Sequence, residues 1–486
     1  MDKRPVTALA ACALLTLLTL LTGCSTNPAT GRQQIALISE QQEIAMGQEA
    51  DQQVTQQIGL YPDERLQAYV SRLGRRLAAD SERPDLPWTF KVVDDPVVNA
   101  FALPGGHIFV TRGLLSHLTS EAELVSVLGH EIGHVTARHS VEQMSKAQLA
   151  QIGLLAGMLY KPELANYGGV AQQGMQLLFL KYSRDDERQA DDLGLRYLAR
   201  EKYDPREMSR VFDTLRRVSA KEQPGGRVPN WLSTHPAPED RIQRIDAQVA
   251  KMNQDFSGAA VNREEYLRSI DDIVFGDNPR EGYFRGSLFI QPDLGFQVRF
   301  PEGWKTVNQK SAVGAISPNQ DAMVAVSLSD RTSPQEAEQA FFSQQGIVQG
   351  QSLQANVGGL PAVTRTFNAQ TSQGSVRGVV AFVENQSKVY QILGYTGESS
   401  WGTYDDAVAQ TIGSFTRVTD QRALSVSPKR VDVVSLPDAM TLEEFARRYP
   451  STVDLETLAI INQANADTRF PAGAEVKRVV GGELPS

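Results

Sequence analysis

The residues with the clearest chemical meaning are five in a row, His130-Glu131-Ile132-Gly133-His134. Side chains four residues apart lie on one face of a helix, so the two imidazoles can reach one metal ion. Glu131 lies beside them, where its carboxylate can take a proton from a metal-activated water. The alternative is a chance match on a surface helix, but the flanking residues are apolar and burying an unliganded His-Glu-His cluster would be costly. The pattern therefore predicts a metal site with Glu131 as general base.

A hydrolytic zinc site usually has three protein ligands and one open position for water. A His at the eleventh position counted from His130 would be typical of metzincins, but Ser140 occupies that position and excludes the class. Glu187 and Asp191 share a helix face, so Glu187 could bind zinc while Asp191 accepts a hydrogen bond from a zinc-bound imidazole. On their own these two acids would indicate a solvated charged face. Beside a motif that lacks its third ligand, they favour one Zn2+ held by His130, His134 and Glu187.

The elements that must position these residues can be predicted from capping and periodicity. Ser120 and Glu123 form an S-x-x-E capping box, which predicts a helix start just before Leu124-Val125, so that the H-E-x-x-H motif lies inside the capped helix. From Ser39 to about Leu77, apolar residues recur at intervals of three and four, as in amphipathic helices. Three short strands are predicted at 88–93, 98–103 and 108–111. This part of the chain is therefore predicted to be mainly helical with a small sheet.

The N-terminus has the features of an exported lipoprotein. Residues 1–23 begin with charged side chains, continue with an apolar run and end on small residues, as secretory signal peptides do. The run is too short to favour the alternative, a membrane-spanning anchor. Residues 21–24 read Leu-Thr-Gly-Cys and resemble the lipobox of bacterial lipoproteins, in which the Cys, here Cys24, carries the lipid. Residues 24–36 are predicted to be a flexible tether.

Two further features bear on location and partners. Ser25 follows the Cys where an Asp would resemble an inner-membrane retention signal, which favours the outer membrane, facing the periplasm. The formal net charge is -9, from 48 basic and 57 acidic side chains, and no basic run occurs. Because nucleic-acid binding needs a basic surface, a general nucleic-acid binder is excluded.

The composition changes after about residue 255, where short β-like runs alternate with helical stretches. The α+β module that follows is similar to Mog/PsbP-like domains. The last module has the order strand, helix, helix, strand and resembles a LysM domain, for which glycan binding competes with a structural cap as its role. The fold class is therefore multidomain α+β. The predicted domains are a zincin domain at 37–255, a linker at 256–282, the α+β module at 283–418 and the LysM-like module at 428–482.

Four motifs in order resemble the HtpX/Oma-type family of zinc metallopeptidases. They are Asn99-Ala-Phe-Ala-Leu-Pro-Gly-Gly, the H-E-x-x-H motif, Glu187-x-x-x-Asp191 and Ser233-Thr-His235-Pro. The resemblance covers about residues 37–250, and the lipobox makes the chain most similar to periplasmic BepA/LoiP-type lipoproteins. The C-terminal half departs from that pattern, because BepA-like proteins carry helical repeats there and this chain shows none. The resemblance implies a zinc endopeptidase whose substrates are delivered differently.

The resemblance also assigns roles beyond the metal ligands. Asn99, Ala100 and Phe101 resemble the family's substrate-pairing edge, where an extended peptide would add by backbone hydrogen bonds. His235 lies in the family's His-Pro segment, and its role stays open between two functions. A neutral imidazole could occupy the open zinc position and block water, or it could donate to the oxyanion. A structural loop histidine is the third interpretation; the gate is slightly favoured, because an unregulated protease among unfolded proteins would be harmful.

These features predict a membrane-anchored zinc endopeptidase that hydrolyses unfolded or misassembled envelope proteins. Its expected partners are those substrates, the membrane through the lipid on Cys24, and peptidoglycan through the LysM-like module. Two alternatives belong to other functional classes. One is a chaperone-like binding protein with a mostly closed zinc site, and the other is a peptidoglycan-binding envelope lipoprotein.

Overall fold

The computed structural model describes residues 24–160, 181–221, 231–235, 238–371 and 374–484 of the 486-residue chain. The predicted signal peptide at 1–23 lies outside these residues. The chain divides into two compact units. The first takes in the chain up to Gly276 together with Val431–Val480, and the second is Asp277–Arg430 with the residues from Gly481. Within the described ranges, no helix is long and apolar enough to cross a membrane.

The first unit is mainly helical, as predicted. Ser39 begins its first helix with a capping box, in which the Ser39 hydroxyl accepts from the backbone N–H of Gln42 and the Gln42 side chain accepts from Ser39 N–H. The helices are α1 (Glu40–Gln57), α2 (Glu64–Ala79), α3 (Arg112–His117), α4 (Glu121–Thr136), α5 (His139–Tyr160), α6 (Arg184–Arg200), α7 (Glu207–Lys221), α8 (Trp231–Thr234), α9 (Pro238–Lys251) and α10 (Arg263–Ile270).

Residues 24–36 differ from the flexible tether predicted for them. They contain an antiparallel hairpin of β1 (Cys24–Thr26) and β2 (Gln33–Ile35), and Asn27 in its turn is buried against the helices. The turn-forming residues indicated a loop, but side-chain hydrogen bonds to distant residues order it. The hairpin is therefore part of the folded unit.

The predicted small sheet has three strands, β3 (Thr89–Val93), β4 (Ala100–Leu103) and β5 (His107–Thr111). The central strand β5 runs parallel to β3 and antiparallel to β4. The turn between β4 and β5 contains Gly105 and Gly106, whose φ angles of 76° and 100° suit residues without a Cβ. Along its other edge, β4 pairs with no described strand.

The helix that carries the H-E-x-x-H motif, α4, lies at the centre of the unit. Ser120 caps it as predicted, accepting from the backbone N–H of Glu123 at 3.2 Å. Every one of its residues is buried. Small residues let it approach α6 closely, since a Cβ on Gly133 would lie only 3.0 Å from the Ala190 carbonyl oxygen. This close approach is what brings the histidines of α4 to the acids of α6.

The second unit is a mixed helix-and-sheet module, as predicted. Its helices are α11 (Pro334–Phe342), α12 (Trp401–Gly413) and α13 (Gln421–Leu424). Its strands are β6 (Tyr283–Arg285), β7 (Leu288–Gln291), β8 (Phe296–Arg299), β9 (Lys305–Asn308), β10 (Ala312–Ile316), β11 (Ala322–Leu328), β12 (Ile347–Ser352), β13 (Asn356–Val357), β14 (Leu360–Thr371), β15 (Gly374–Asn385), β16 (Lys388–Gly397) and β17 (Thr416–Arg417). The larger sheet has the order β12-β14-β15-β16-β11-β10-β9, with β13 paired to β14, and the smaller sheet has the order β17-β8-β7-β6.

The chain then returns to the first unit in the predicted order of strand, helix, helix and strand. The elements are β18 (Lys429–Ser435), β19 (Met440–Thr441), α14 (Leu442–Arg448), α15 (Leu455–Ile461), β20 (Arg469–Phe470) and β21 (Glu475–Gly481), with β18 paired to β21. Its apolar residues join the same core as α2, α4 and α7. Residues 256–282, predicted to be a linker before the second unit, instead contain α10, whose Tyr266 and Leu267 are fully buried in that core.

Candidate metal centre

Three elements bring the candidate ligands together. His130 and His134 lie one turn apart on α4, Glu187 lies in the first turn of α6, and His235 directly follows α8. All four side chains are about 1% exposed, and their ligand atoms lie within 4.8 Å of one another. The three residues predicted as ligands therefore converge, and His235 joins them.

The distances within this cluster fit one cation. The Nε2 of His130 lies 3.0 Å from His134 Nε2 and 3.3 Å from His235 Nδ1, and Glu187 Oε1 lies 2.9 Å from His235 Nδ1 and 3.6 Å from His134 Nε2. A tetrahedral zinc site with bonds of about 2.0–2.2 Å has ligand–ligand distances of about 3.3–3.6 Å. Unprotonated imidazole nitrogens facing one another at such distances repel unless a proton or cation lies between them.

The carboxylate of Glu131 is a second feature that indicates a ligand site. Its carboxylate is fully buried, and neither oxygen has a hydrogen-bond partner among the described residues. The Nε2 of His235 lies 3.7 Å from Glu131 Oε1. Leaving a buried carboxylate without a hydrogen bond is costly, so this group is placed for a water or substrate rather than for stability.

Asp191 lies within hydrogen-bond distance of His130, the contact expected from the sequence. Its Oδ1 lies 3.0 Å from His130 Nδ1, so Nδ1–H can donate to the carboxylate and leave the Nε2 lone pair for a metal. Burial alone would raise the pKa of Asp191, but Arg241 and His130 hold it well below its usual range. The carboxylate therefore stays ionised and keeps its role as acceptor.

Arg241 is a residue of the site that the sequence did not indicate. On α9, its Nε and Nη2 bind both oxygens of Asp191 at 2.9 and 2.6 Å, and its Nη1 lies 2.7 Å from Glu187 Oε2. Its guanidinium packs over the rings of Phe212 and Trp231. It thereby positions two acids at once. A single Arg on an amphipathic helix carries no spacing signal, which is why sequence reasoning missed it.

His134 is held by an aromatic ring and a second imidazole. Tyr182 stacks on it with ring centroids 3.9 Å apart, and His139 Nδ1 lies 2.9 Å from His134 Nδ1. Burial, together with the neighbouring His130 and His139, holds the pKa of His134 well below its usual range. A neutral imidazole keeps a lone pair available for a metal.

His235 is held by α8 and by the sheet. Its ring stacks on Trp231, with centroids 4.5 Å apart, and its backbone N–H donates to the Trp231 carbonyl. The backbone N–H of Trp231 donates to the Val98 carbonyl at 3.3 Å, two residues before β4 begins. The segment that carries His235 is thus attached to the sheet that carries the predicted substrate edge.

The remaining predicted residues lie outside the metal cluster. Asn99 directly precedes β4 and Ala100 and Phe101 lie on it; all three are buried, and α4 packs against that strand. His107 and His117 bond elsewhere and do not join the cluster. Cys24 begins β1, but its side chain lies outside the described part of the chain.

Comparisons with known proteins agree with this geometry. The family model of peptidase family M48 matches residues 64–249. The chain is 32% identical to the beta-barrel assembly-enhancing protease of Yersinia pestis, over 49% of this chain and 50% of that protein. It is 33% identical to the mitochondrial metalloendopeptidase OMA1 of Schizosaccharomyces pombe, over 47% of this chain and 68% of that protein. The chain thus spans about half the length of the assembly-enhancing protease.

Solved structures give a separate set of likenesses. The cyanobacterial PsbP of Synechocystis is 17% identical, with 28% of this chain and 95% of that chain covered and a TM-score of 0.23. The Ran-binding protein Mog1p of Saccharomyces cerevisiae is 11% identical, with 27% and 95% covered and a TM-score of 0.22. Scores of this size carry no argument about function.

Proposed function

The chain belongs to peptidase family M48, and from that premise we propose that it is a zinc-dependent endopeptidase acting on envelope proteins. The observation that carries the proposal is the buried cluster of His130, His134, Glu187 and His235 beside the carboxylate of Glu131, which has no hydrogen bond within the described ranges. Three nitrogens and one carboxylate oxygen are the donor set that zinc prefers.

His130, His134 and Glu187 would hold the zinc, and Asp191 and Arg241 would hold two of these ligands in place. Zinc bound there would polarise the scissile carbonyl and lower the pKa of a water to about 7. Glu131 would take a proton from the attacking water and later give it to the leaving amine. Its burial without hydrogen-bond partners suits this task, because no other group competes for its lone pairs.

His235 is proposed as a gate rather than an oxyanion donor. The gate is supported by its Nδ1, which lies among the ligand atoms, and by its Nε2, which faces Glu131. In this position the imidazole fills the space between the general base and the ligands, where the attacking water must enter. Displacement of the segment that carries His235 would open that space.

The proposed substrates are unfolded or misassembled proteins of the bacterial envelope. The relatives named beta-barrel assembly-enhancing proteases support an envelope substrate. The edge of β4 that pairs with no described strand supports recognition of an extended peptide by backbone hydrogen bonds near Asn99, Ala100 and Phe101. Such recognition depends on an unfolded conformation more than on sequence.

A lipid on Cys24 is proposed to anchor the chain to a membrane, in the outer membrane facing the periplasm. Only two residues separate Cys24 from the buried Asn27, so the lipid would attach almost directly to the folded unit. We expect Cys24→Ala to move the protein to the soluble envelope fraction or to leave it unprocessed. Membrane fractionation with palmitate labelling measures this, and unchanged labelling would contradict the lipid site.

The burial of the metal cluster also supports a second candidate function, a chaperone-like binding protein whose zinc site is mostly closed. Casein cleavage by the purified protein, with and without a metal chelator, separates the two. An endopeptidase degrades casein, loses activity with the chelator and regains it with added zinc. Binding of unfolded protein without any chelator-sensitive cleavage would favour the chaperone.

Peptidoglycan binding through the LysM-like module is proposed as an accessory property. The order of its elements supports it, while its packing into the core of the first unit suits a structural cap equally well. Sedimentation of the full protein with purified peptidoglycan tests it. A protein that stays in the supernatant would favour the structural cap as the module's role.

A further inference from the structure

We propose that the N-terminal hairpin, residues 24–35, positions the metal ligand His134 by fixing which of its ring nitrogens carries the proton. The inference rests on the proposed zinc site. It assigns Asn27, Gln189 and His139 as positioning residues that act in series on His134. None of the three belongs to the metal cluster itself.

The series begins at Asn27, whose amide orientation is set by backbone groups. Its Oδ1 accepts from the N–H groups of Ala29 and Thr30 at 2.9 and 3.2 Å. Its Nδ2 donates to the Ala137 carbonyl at 3.0 Å, immediately after α4. Backbone N–H groups can only donate and carbonyls can only accept, so the amide has one orientation here.

Asn27 in turn favours one orientation of Gln189 on α6. The Asn27 Nδ2 faces Gln189 Oε1 at 3.4 Å and the Gln34 Oε1 at 2.9 Å. A reversed Gln189 amide would bring its NH2 group against that of Asn27, with two donors facing each other. The oxygen of Gln189 is therefore the atom that faces the interior.

The Gln189 oxygen then determines the tautomer of His139. Gln189 Oε1 lies 2.7 Å from His139 Nε2, and Asp186 Oδ1 lies 3.8 Å from the same nitrogen. Both facing atoms are acceptors, so Nε2 carries the proton. A ring that carries its proton on Nε2 presents its Nδ1 as an acceptor.

The last step reaches the ligand. His139 Nδ1 lies 2.9 Å from His134 Nδ1, so an accepting His139 requires His134 to carry its proton on Nδ1. The Nε2 of His134, which faces the other ligands, then keeps its lone pair. A reversed Gln189 would invert every step and place a proton on His134 Nε2, where it would block metal binding. The hairpin therefore acts on zinc affinity through buried and half-buried side chains, without touching the zinc ligands.

Paired substitutions of Gln189 with opposite hydrogen-bonding character test the proposal. Gln189→Glu keeps an acceptor towards His139, so we expect zinc affinity within about threefold of the natural protein. Gln189→Lys presents only donors, so we expect zinc affinity to fall by about 10- to 100-fold, as loss of an outer partner of a metal ligand does. Affinity is measured on the full chain by competition with a chromogenic zinc chelator.

Gln33 provides a matched control on the same hairpin, because it is exposed and bonds to Thr26 rather than to Gln189. Gln33→Glu and Gln33→Lys make the same charge changes, and both should bind zinc as the natural protein does. Asn27→Ala should weaken zinc binding by severalfold. Equal affinities for Gln189→Glu and Gln189→Lys would overturn the proposal, whereas a natural protein that binds no zinc would instead overturn the proposed function.

A spectroscopic measurement covers the case in which Gln189→Lys fails to fold. The nitrogen shifts of 15N-labelled histidines in the zinc-loaded natural protein report which ring nitrogen is protonated. We expect the proton on Nε2 of His139 and on Nδ1 of His134. A proton on Nδ1 of His139 would refute the series regardless of any variant.

Discussion

Helix α4 contacts a buried polar cluster at each end, and the two clusters differ in how their hydrogen bonds are completed. The metal cluster lies at its C-terminal half and consists of His130, His134, Glu187 and His235, with Glu131 beside them. The N-terminal cluster, Glu121, Glu123, Glu207 and Lys477, lies at its other end, where the C-terminal module packs. All members of both clusters are buried.

In the N-terminal cluster every member has protein partners. Glu121 accepts from Tyr69, Tyr203 and Asn262. Lys477, from the C-terminal module, donates to the carbonyls of Ser116 and Leu118 at 2.9 and 2.6 Å, just before the helix begins. Burial lowers the pKa of this lysine well below its usual range, and the two carbonyls satisfy its N–H groups.

Glu123 and Glu207 complete that cluster. Thr119 donates to Glu123 through both its N–H and its hydroxyl, and Ser120 donates to Glu207 at 2.9 Å. The metal cluster differs, because Glu131 beside it has no hydrogen bond to any part of the chain that the structure describes, and several nitrogens face one another. Buried charges alone therefore do not mark a functional site. The useful mark is a buried donor or acceptor whose partner must come from outside the chain.

The largest expected effect comes from Glu131→Gln, which removes the base and keeps the side-chain volume. We expect casein cleavage to fall by at least about a hundredfold, since an amide cannot take a proton from water. Zinc content should stay unchanged, because Glu131 is not a ligand. Cleavage at the natural rate would mean that Glu131 is not the base. A missing hydrogen bond would then no longer distinguish the functional cluster from the N-terminal one.

Glu187→Ala removes a ligand rather than the base. We expect zinc affinity to fall by about a hundredfold, the upper end of what loss of a ligand's outer partner costs. Metal analysis after dialysis measures it, with Glu142→Ala, a partly exposed acid on α5, as the control. Full zinc occupancy in Glu187→Ala would show that another carboxylate completes the site.

His235→Ala tests the gate and is expected to raise activity. Removing the imidazole opens the position between Glu131 and the ligands, and a gate closed nine-tenths of the time would yield about a tenfold increase in basal casein cleavage. Zinc content is measured in parallel. A decrease in turnover with native zinc content would favour the oxyanion role, and unchanged turnover would leave His235 structural.

The smallest effect on activity is expected from Lys477→Met, which acts at the opposite end of α4. Two buried carbonyls lose their donor, so the free energy of unfolding should fall by about 1–3 kcal/mol. Urea unfolding followed by circular dichroism measures this. Zinc content and casein cleavage by the folded protein should not change, and a loss of either would show that the two ends of the helix are coupled.

Much of the metal centre could be predicted because its spacing follows the helical period. His130, His134, Glu187 and Asp191 each share a face with a partner four residues away, and the structure brings all four together. The resemblance to a zinc metallopeptidase family is confirmed by the family match. His235 joins the cluster, although its choice between gate and oxyanion donor stays a prediction.

The parts that were missed depend on contacts between residues far apart in the chain. Arg241 meets Asp191 only because α9 packs beside α6, and no local pattern indicates that packing. The hairpin contains turn-forming residues that indicate a loop, yet Asn27 bonds to Ala137, 110 positions away. Secondary structure follows local preferences, whereas such contacts depend on the tertiary fold.

The complete burial of α4 limits how often this wall of the site opens to solvent. Amide protons of a helix buried on every face exchange with solvent only when the whole unit unfolds. The opposite side of the metal cluster is formed by α8, a single helical turn of 4 residues that enters the core mainly through Trp231, so opening α8 exposes much less of the core than unfolding α4 does. Hydrogen exchange should therefore be slowest in α4 and much faster in α8. Helix α4 would stay closed for as long as the unit is folded, while α8 would open and close many times within that period.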